Sequence, residues 1–386
     1  MGRRGFLFMT DLRINLEDSF AVTDAGLVEL GGFVVADGTL AELNSVSAGT
    51  AEFAGVTVVP GFIDIHNHGA FGVDVNSATA EKLVELSRRL AAEGVAGWVP
   101  TLVPDSDENY DRAIKQIDLA MESQDGARIL GVHYEGVFAA EKMCGALRPE
   151  YFRDYRPGIV KDLPKLRRGV HITTAAPEIA GGIDLIREFV ADGWIVSIGH
   201  TRATGDVLDA AFDAGARHAT HFFNAMTGIH HRDLGVAGWC LTKPGMTFDI
   251  IADGIHVDPA MVEMAVRSRG VDSVALISDS ISATREGDGS FELWGQTIEV
   301  ENGRTRNSKG GIAGSVITMA DAVRMMSKLG FGAEEISALS SSNAARVLGI
   351  EDDFGKVKIG RRADLVGLNV SGEIDFSVIG GQFYTK

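Results

Sequence analysis

The chain has 386 residues, 45% hydrophobic and 23% charged, which suits a globular protein with one large barrel or two medium domains. Acidic residues outnumber basic ones 53 to 36, a formal charge of −17, so a nucleic-acid partner is not expected, although a small anion in a local basic pocket is allowed. The two cysteines, Cys144 and Cys240, lack metal spacing, so the chain reads as cytoplasmic and free of a disulfide framework.

The first residues, MGRRGFLFMTDLR, begin basic, but the apolar run is too short for a signal-peptide core, and the eight residues before Met9 read as an extension of the start. No stretch of 18 apolar residues follows, so no membrane-spanning helix is expected. Residues 1–57 carry short apolar or alternating segments (LRINL, GLVEL, GGFVVADG, AEFAGVTVV) separated by turn residues. The stretch 355–386 has the same character, and neither end is large enough to bury a core alone. The two are therefore expected to pair into one small β-sandwich domain, leaving 58–354 as a second unit.

Across that unit eight strand-like runs alternate with helix-period segments. The runs are TVVPGFIDIHNHG, GVAGWVPTLV, RILGVHYEG, VHITTAAPE, WIVSIGHT, HATHFFNAM, MTFDIIADGIHV and SVALISDS. Between them lie ATAEKLVELSRRLAAEG, DENYDRAIKQIDLAMES, IDLIREFVADG, TGDVLDAAFDAG and DPAMVEMAVRSR, with apolar residues at three- and four-residue spacing. Alternation of this kind predicts an α/β fold with parallel strands, a (β/α)₈ TIM barrel. A doubly wound open sheet fits less well, because no GxGxxG turn follows the first strand. Residues 286–312 read as a β-hairpin inserted after the eighth strand.

The polar residues fall at the ends of those strands. His66 and His68 end the first, Glu135 the third, His200 the fifth and Asp279 the eighth, while His221 lies in the sixth and His256 follows the seventh. In a TIM barrel these ends meet on one face. His66 and His68, two apart on a strand, point the same way and suit one metal. Glu135 is a carboxylate in an apolar strand, which needs a metal, a proton or a cationic partner. Taken singly each residue has an ordinary explanation: a packed histidine, a structural ion pair for Glu135, a helix N-cap for Asp279. As a set they point to a metal-assisted hydrolase in which Asp279 moves the proton. His133 reads as a supporting or packed residue, and His171 and His218 as core histidines.

The chain resembles the N-acetylglucosamine-6-phosphate deacetylases of the amidohydrolase superfamily. The likeness rests on PGFIDIHNHG (60–69), HYEGVF (133–138), GHT (199–201), THFFNAM (220–226), ADGIHV (252–257), ISDS (277–280), GSVITMADAV (314–323), SSNAARVLGI (341–350) and GRRADLVGLN (360–369). It implies that Glu135, His200 and His221 bind the main metal, and that His66 and His68 with Glu135 leave room for a second. Zinc is the expected ion, with iron or another divalent ion as the alternative. It implies Asp279 as general base and then acid, and Asn224, the Ala225 backbone and His256 as substrate contacts. Arg232 would grip the phosphate of the neighbouring subunit, which implies a homodimer.

Three positions depart from the family pattern. Val137 and Ser280 stand where the family has proline and alanine, which touches no chemistry. Leu147, in Gly145-Ala146-Leu147, stands where the family has a histidine that helps hold the substrate, and leucine donates no hydrogen bond. Either the second metal or Arg148 replaces that role, or the substrate differs. The leading expectation is deacetylation of an amino-sugar 6-phosphate. The alternatives are an amidohydrolase on another N-acyl sugar, cyclic amide or dipeptide-like amide, and a catalytically silent barrel that binds a sugar phosphate.

Overall fold

The structure is a computed structural model, described over residues 11–44, 49–123 and 125–385. The extension ahead of Met9 lies outside the described residues. Eight parallel strands form the barrel: β1 (Phe62–Asn67), β2 (Val95–Leu102), β3 (Gly131–Phe138), β4 (Val170–Ala175), β5 (Ile195–Ile198), β6 (His218–Ala219), β7 (Thr247–Ile251) and β8 (Val274–Ile277). Each pairs with the next in chain order. The ring closes at its mouth, where the Asp279 N–H donates to the His66 carbonyl at 3.0 Å and the His68 N–H to the Ser280 carbonyl at 2.9 Å. All residues of β1, β2 and β3 are buried, as strands covered on both faces must be, and that is why their sequences run apolar without alternation.

The five helices expected from periodicity form as α1 (Ala80–Ala92), α2 (Asp107–Ser123), α3 (Gly182–Ala191), α4 (Gly205–Asp213) and α6 (Pro259–Arg269). In α1, Thr79 caps the start by accepting from the Lys82 N–H, and Leu83, Leu86 and Leu90 form the stripe that packs on the barrel. The sequence reading had not marked α5 (Gly235–Thr242) or α7 (Met319–Lys328). The first is too uniformly apolar to show a stripe.

Three strand readings are corrected. The run TVVPGFIDIHNHG is two strands. Thr57–Pro60 pairs with Leu365–Leu368 and Phe20–Thr23, and the barrel strand starts after Gly61. The run HATHFFNAM is strand only at His218–Ala219, because His221, Phe223 and Ala225 take φ of 34°, 77° and 49°, which no extended strand allows. The insertion after β8 is a three-stranded meander rather than a hairpin, with strands Gly289–Leu293, Gln296–Glu301 and Arg304–Asn307.

The chain ends form two facing sheets. One has four strands from residues 11–54, and the other has six, contributed by both ends of the chain. Leu12, Ile14 and Phe33 of the first meet Ala21, Val58, Leu365 and Phe376 of the second in one apolar layer.

Candidate active site

The barrel mouth gathers His66, His68, Glu135, His200, His221 and Asp279, all buried. Glu135 is central. Its Oε1 lies 3.0 Å from Nε2 of both His200 and His221 and 3.6 Å from His66 Nε2, while its Oε2 is 3.2 Å from His68 Nε2. The two histidine pairs are close within themselves, with Nε2 atoms 3.1 Å apart in each. Asp279 Oδ1 lies 3.4 Å from His66 Nε2 and 3.3 Å from His68 Nε2. His66, His68 and Glu135 form one group with metal-ligand spacing, and Glu135, His200 and His221 form another.

Backbone geometry presents these side chains. His200, His221 and Asp279 each follow the last residues of a strand with φ of 48°, 34° and 49°, which turns the side chain into the mouth instead of along the strand. Non-glycine residues hold this conformation only where neighbours enforce it. For Asp279 the enforcement is its N–H bond to His66 and its carbonyl, which accepts from the Ser315 N–H at 2.7 Å. For His221 it is the N–H donated to the Asp249 carboxylate.

The donor chemistry fits a cation. His68 Nδ1 is 3.1 Å from the Thr101 carbonyl and His200 Nδ1 is 2.8 Å from the Met143 carbonyl. A carbonyl only accepts, so each Nδ1 carries the hydrogen and each neutral ring aims a bare Nε2 lone pair at Glu135. Lone pair against carboxylate at such distances is repulsive unless a cation or an extra proton lies between. Without a metal, protons serve. Burial lowers the His68 pKa, but Asp279 and Glu135 outweigh it and lift it to about 10. His221 rises to about 9 against the same burial, through Glu135. Glu135 is held well below the carboxylate range by His66, His200 and His221 in spite of burial. Asp279 is likewise lowered against burial by His66 and His68, so it is an ionised base. A divalent ion suits this nitrogen and oxygen set.

Of the expected substrate contacts, Asn224 and Ala225 follow His221 in the chain and His256 follows β7. Asn224 Nδ2 donates to the His221 carbonyl at 3.2 Å, and the Ala225 carbonyl accepts from the Thr201 N–H at 3.1 Å. His256 Nδ1 is fixed by Asp253 at 2.7 Å. Arg232 lies apart on the exposed loop after β6, with Nη1 2.6 Å from His231 Nε2. Three further histidines, His133, His171 and His218, pack among the barrel strands and their flanking loops. His133 bonds Thr174 Oγ1 at 2.7 Å and packs its ring 4.7 Å from that of His66. His218 sits between Asp249 and Thr247, and His171 accepts from the Leu166 N–H.

Several functional neighbours escaped the sequence reading. Asp64 is buried between β1 and β8, bonded to Ser278 Oγ at 2.5 Å and Asn67 Nδ2 at 3.0 Å. Its signal was the one used for Glu135, an acid in an apolar strand. Asp249, in β7, carried the same signal. Trp294, at the first turn of the meander, sets its ring 5.1 Å from that of His68 and donates Nε1–H to Asp74 Oδ1 at 3.1 Å. No local pattern marks it.

The amidohydrolase family profile matches residues 57–383. The N-acetylglucosamine-6-phosphate deacetylase of Bacillus subtilis (strain 168) is 33% identical over 95% of this chain and 96% of its own. The chain belongs to the amidohydrolase family, among the N-acetylglucosamine-6-phosphate deacetylases. The N-acetylgalactosamine-6-phosphate deacetylase of Escherichia coli O157:H7 is also 33% identical, over 90% of this chain and 93% of its own. Among solved structures, a mutant N-acetyl-D-glucosamine-6-phosphate deacetylase from Mycobacterium smegmatis, in complex with N-acetyl-D-glucosamine-6-phosphate, superposes with a TM-score of 0.87 at 28% identity. It covers 98% of this chain and 100% of that one. Among the described residues no helix is long and apolar enough to cross a membrane.

For a deacetylase of this family, the departure at Leu147 has a structural outcome. Leu147 is buried against Val103, Ala139, Phe152 and Trp294. A Cβ on Gly136, which has φ of 73°, would lie 2.2 Å from its Cδ1, so the leucine fills space that only glycine leaves. Arg148 places Nη2 2.8 Å from Asp105 and 2.7 Å from the Pro104 carbonyl, while its buried Nε has no partner.

Proposed function

We propose that the chain hydrolyses the N-acetyl amide of an N-acetylhexosamine 6-phosphate, giving acetate and the amino-sugar 6-phosphate. The observation that carries this is the shared carboxylate of Glu135 between two histidine pairs, with ionised Asp279 beside one of them. His66, His68, Glu135, His200 and His221 would hold one or two divalent ions, with zinc the first choice and iron the second. Such an ion, when bound, supplies Lewis acidity and an acidified water. Asp279 takes the proton of the attacking water as the C–N bond's carbonyl carbon is attacked, then returns it to the nitrogen as that bond breaks. Asn224, the Ala225 backbone and His256 orient the sugar.

Arg232 is assigned to the phosphate of a neighbouring subunit in a homodimer. In support, the one side-chain partner given to its guanidinium among the described residues is the neighbouring His231, and exposed Ile229 and Leu234 flank it on the same loop. The chain is read as two units, a barrel over 58–354 and a β unit from 1–57 with 355–386, in a cytoplasmic protein.

A second reading, the galactosamine epimer, is favoured by the equal identity of the Escherichia coli relative. Acetate release from the metal-loaded protein distinguishes them. The substrates are N-acetylglucosamine 6-phosphate, its galactose epimer and unphosphorylated N-acetylglucosamine. The phosphorylated sugar should turn over and its unphosphorylated form should not. No turnover of any, with metal bound, overturns the sugar-phosphate reading.

A further inference from the structure

At the start of β3, on the opposite face of the barrel from the histidines, a cleft of about 630 Å³ opens against the terminal sheets. It is lined by Arg128, Arg361 and Arg362, with Asp37, Asp353 and the Gly380 backbone. Three arginines in one cleft stand out in a chain of charge −17. The stronger observation is that Arg128 is unpaired. Its Nε is buried with no hydrogen-bond partner, and no carboxylate pairs with its guanidinium among the described residues. A buried donor without a partner is costly, and a charged one more so.

The other two arginines are arranged for the same space. Arg361 reaches only Asp352 and Asp353, at 4.0 and 3.9 Å, and those aspartates are 96% and 83% exposed. Pairs of that kind contribute little and do not hold the side chain. Arg362 is fixed from behind, its Nε 2.5 Å from Asp364 Oδ2. Gly380 has φ of 59°, and a Cβ there would lie 2.9 Å from Arg362 Nη2, so glycine keeps the guanidinium's place open.

We infer that this cleft binds a small oxyanion of the phosphate class, gripped by Arg128 and Arg361 with Arg362 behind them. A guanidinium fork matches such an anion with paired N–H donors. The site is separate from the catalytic centre: Arg128 precedes β3 and Glu135 lies within it seven residues further on, a span of up to about 23 Å at the usual extended rise. Because Arg128 belongs to the barrel and Arg361 to the terminal segment, the anion would tie the two together and stabilise the fold by mass action.

The test is equilibrium dialysis of labelled inorganic phosphate against the metal-loaded full chain, in an Asn224→Ala, Arg232→Ala background that removes the substrate phosphate contacts. One phosphate per chain should remain. Adding Arg128→Gln should abolish it, and adding Arg361→Gln should weaken it at least tenfold. Thermal melts show whether each variant is folded and whether phosphate still raises its midpoint, and Arg361→Gln serves if Arg128→Gln does not fold. Competition by glucose 6-phosphate then identifies the source. Stronger displacement than by unlabelled phosphate names a sugar phosphate, and weaker displacement names the free anion. Loss of all binding in the background with Arg128 intact would overturn the inference, as would phosphate binding unchanged by both arginine substitutions.

Discussion

Along Asp11–Glu17 in the terminal sheets, Leu12, Ile14 and Leu16 are buried in turn and the residues between them face outward. At the barrel mouth six ionisable side chains are buried together, and three of them sit at positive φ. The first region follows the rules that stabilise a sheet, alternation and apolar contact. The second breaks two of them, the avoidance of buried charge and of left-handed backbone. The contrast teaches where each kind of substitution should act: at the mouth on chemistry with the fold intact, in the sheets on the fold with the chemistry intact.

The largest effect should come from the shared carboxylate. Glu135→Gln removes the charge that both histidine pairs face, so metal content measured by elemental analysis should fall for both groups. Deacetylation should drop to background, as it should after treatment of the unaltered protein with a strong chelator. Retention of full metal and full turnover by Glu135→Gln would break the assignment of this cluster as a metal centre.

Asp279→Asn separates proton transfer from metal holding. The rate should fall by about 10²–10⁴, the usual contribution of a positioned acid or base, with metal content close to normal. Removing a buried carboxylate should leave the melting temperature unchanged or higher, because active-site charge is commonly held at a cost in stability. A fall in rate matched by an equal loss of folded protein would erase the contrast between the two regions.

Phe376→Ala is the converse. Its ring is fully buried, with ring centroids 4.6 Å from Phe53 and 6.1 Å from Phe33, and Gly367 leaves room for it. The cavity should cost about 3–5 kcal/mol, read as a lowered urea midpoint, while turnover per folded molecule stays unchanged.

How much of this was legible follows the same division. The eight barrel strands and five of the helices announce themselves through periodicity, because burial on one helix stripe or both strand faces leaves a mark on every residue. The run around His221 misled for the same reason: HATHFFNAM is apolar enough for a strand, but the left-handed residues at 221 and 225 are held by bonds to β7 and to the segment after β5, the His221 N–H to Asp249 and the Thr201 N–H to the Ala225 carbonyl. His66, His68, Glu135, His200, His221 and Asp279 stood out because each is a polar residue where a strand should be apolar. Asp64 and Asp249 carried that mark too and were passed over. The carbonyls of Thr101 and Met143 that fix the two rings, and Trp294 from the meander, leave no mark at all, since a contact across 220 residues from Asp74 to Trp294 depends on how an insertion folds back.

Trp294 gives the smallest and sharpest test, because it belongs to neither kind of region. It is a large apolar ring, as in the sheets, yet its partners are His68 and a half-buried aspartate, Asp74. Burial raises the Asp74 pKa, and the Trp294 N–H is one of the donors that oppose this. Trp294→Phe keeps the ring against His68 and deletes only that donor. Groups that orient a metal-ligating histidine typically change metal affinity by 10–100-fold when altered, and this substitution removes the more distant half of the contact. The expected loss of affinity is therefore about tenfold or less, measured by competition with a chelator of known strength, with little change in melting temperature. Trp294→Ala should exceed it, since the ring contact to His68 goes as well. Equal effects of the two would assign the role to the Asp74 bond alone, and no effect of either would make the meander a cover over the mouth with no part in holding the histidine.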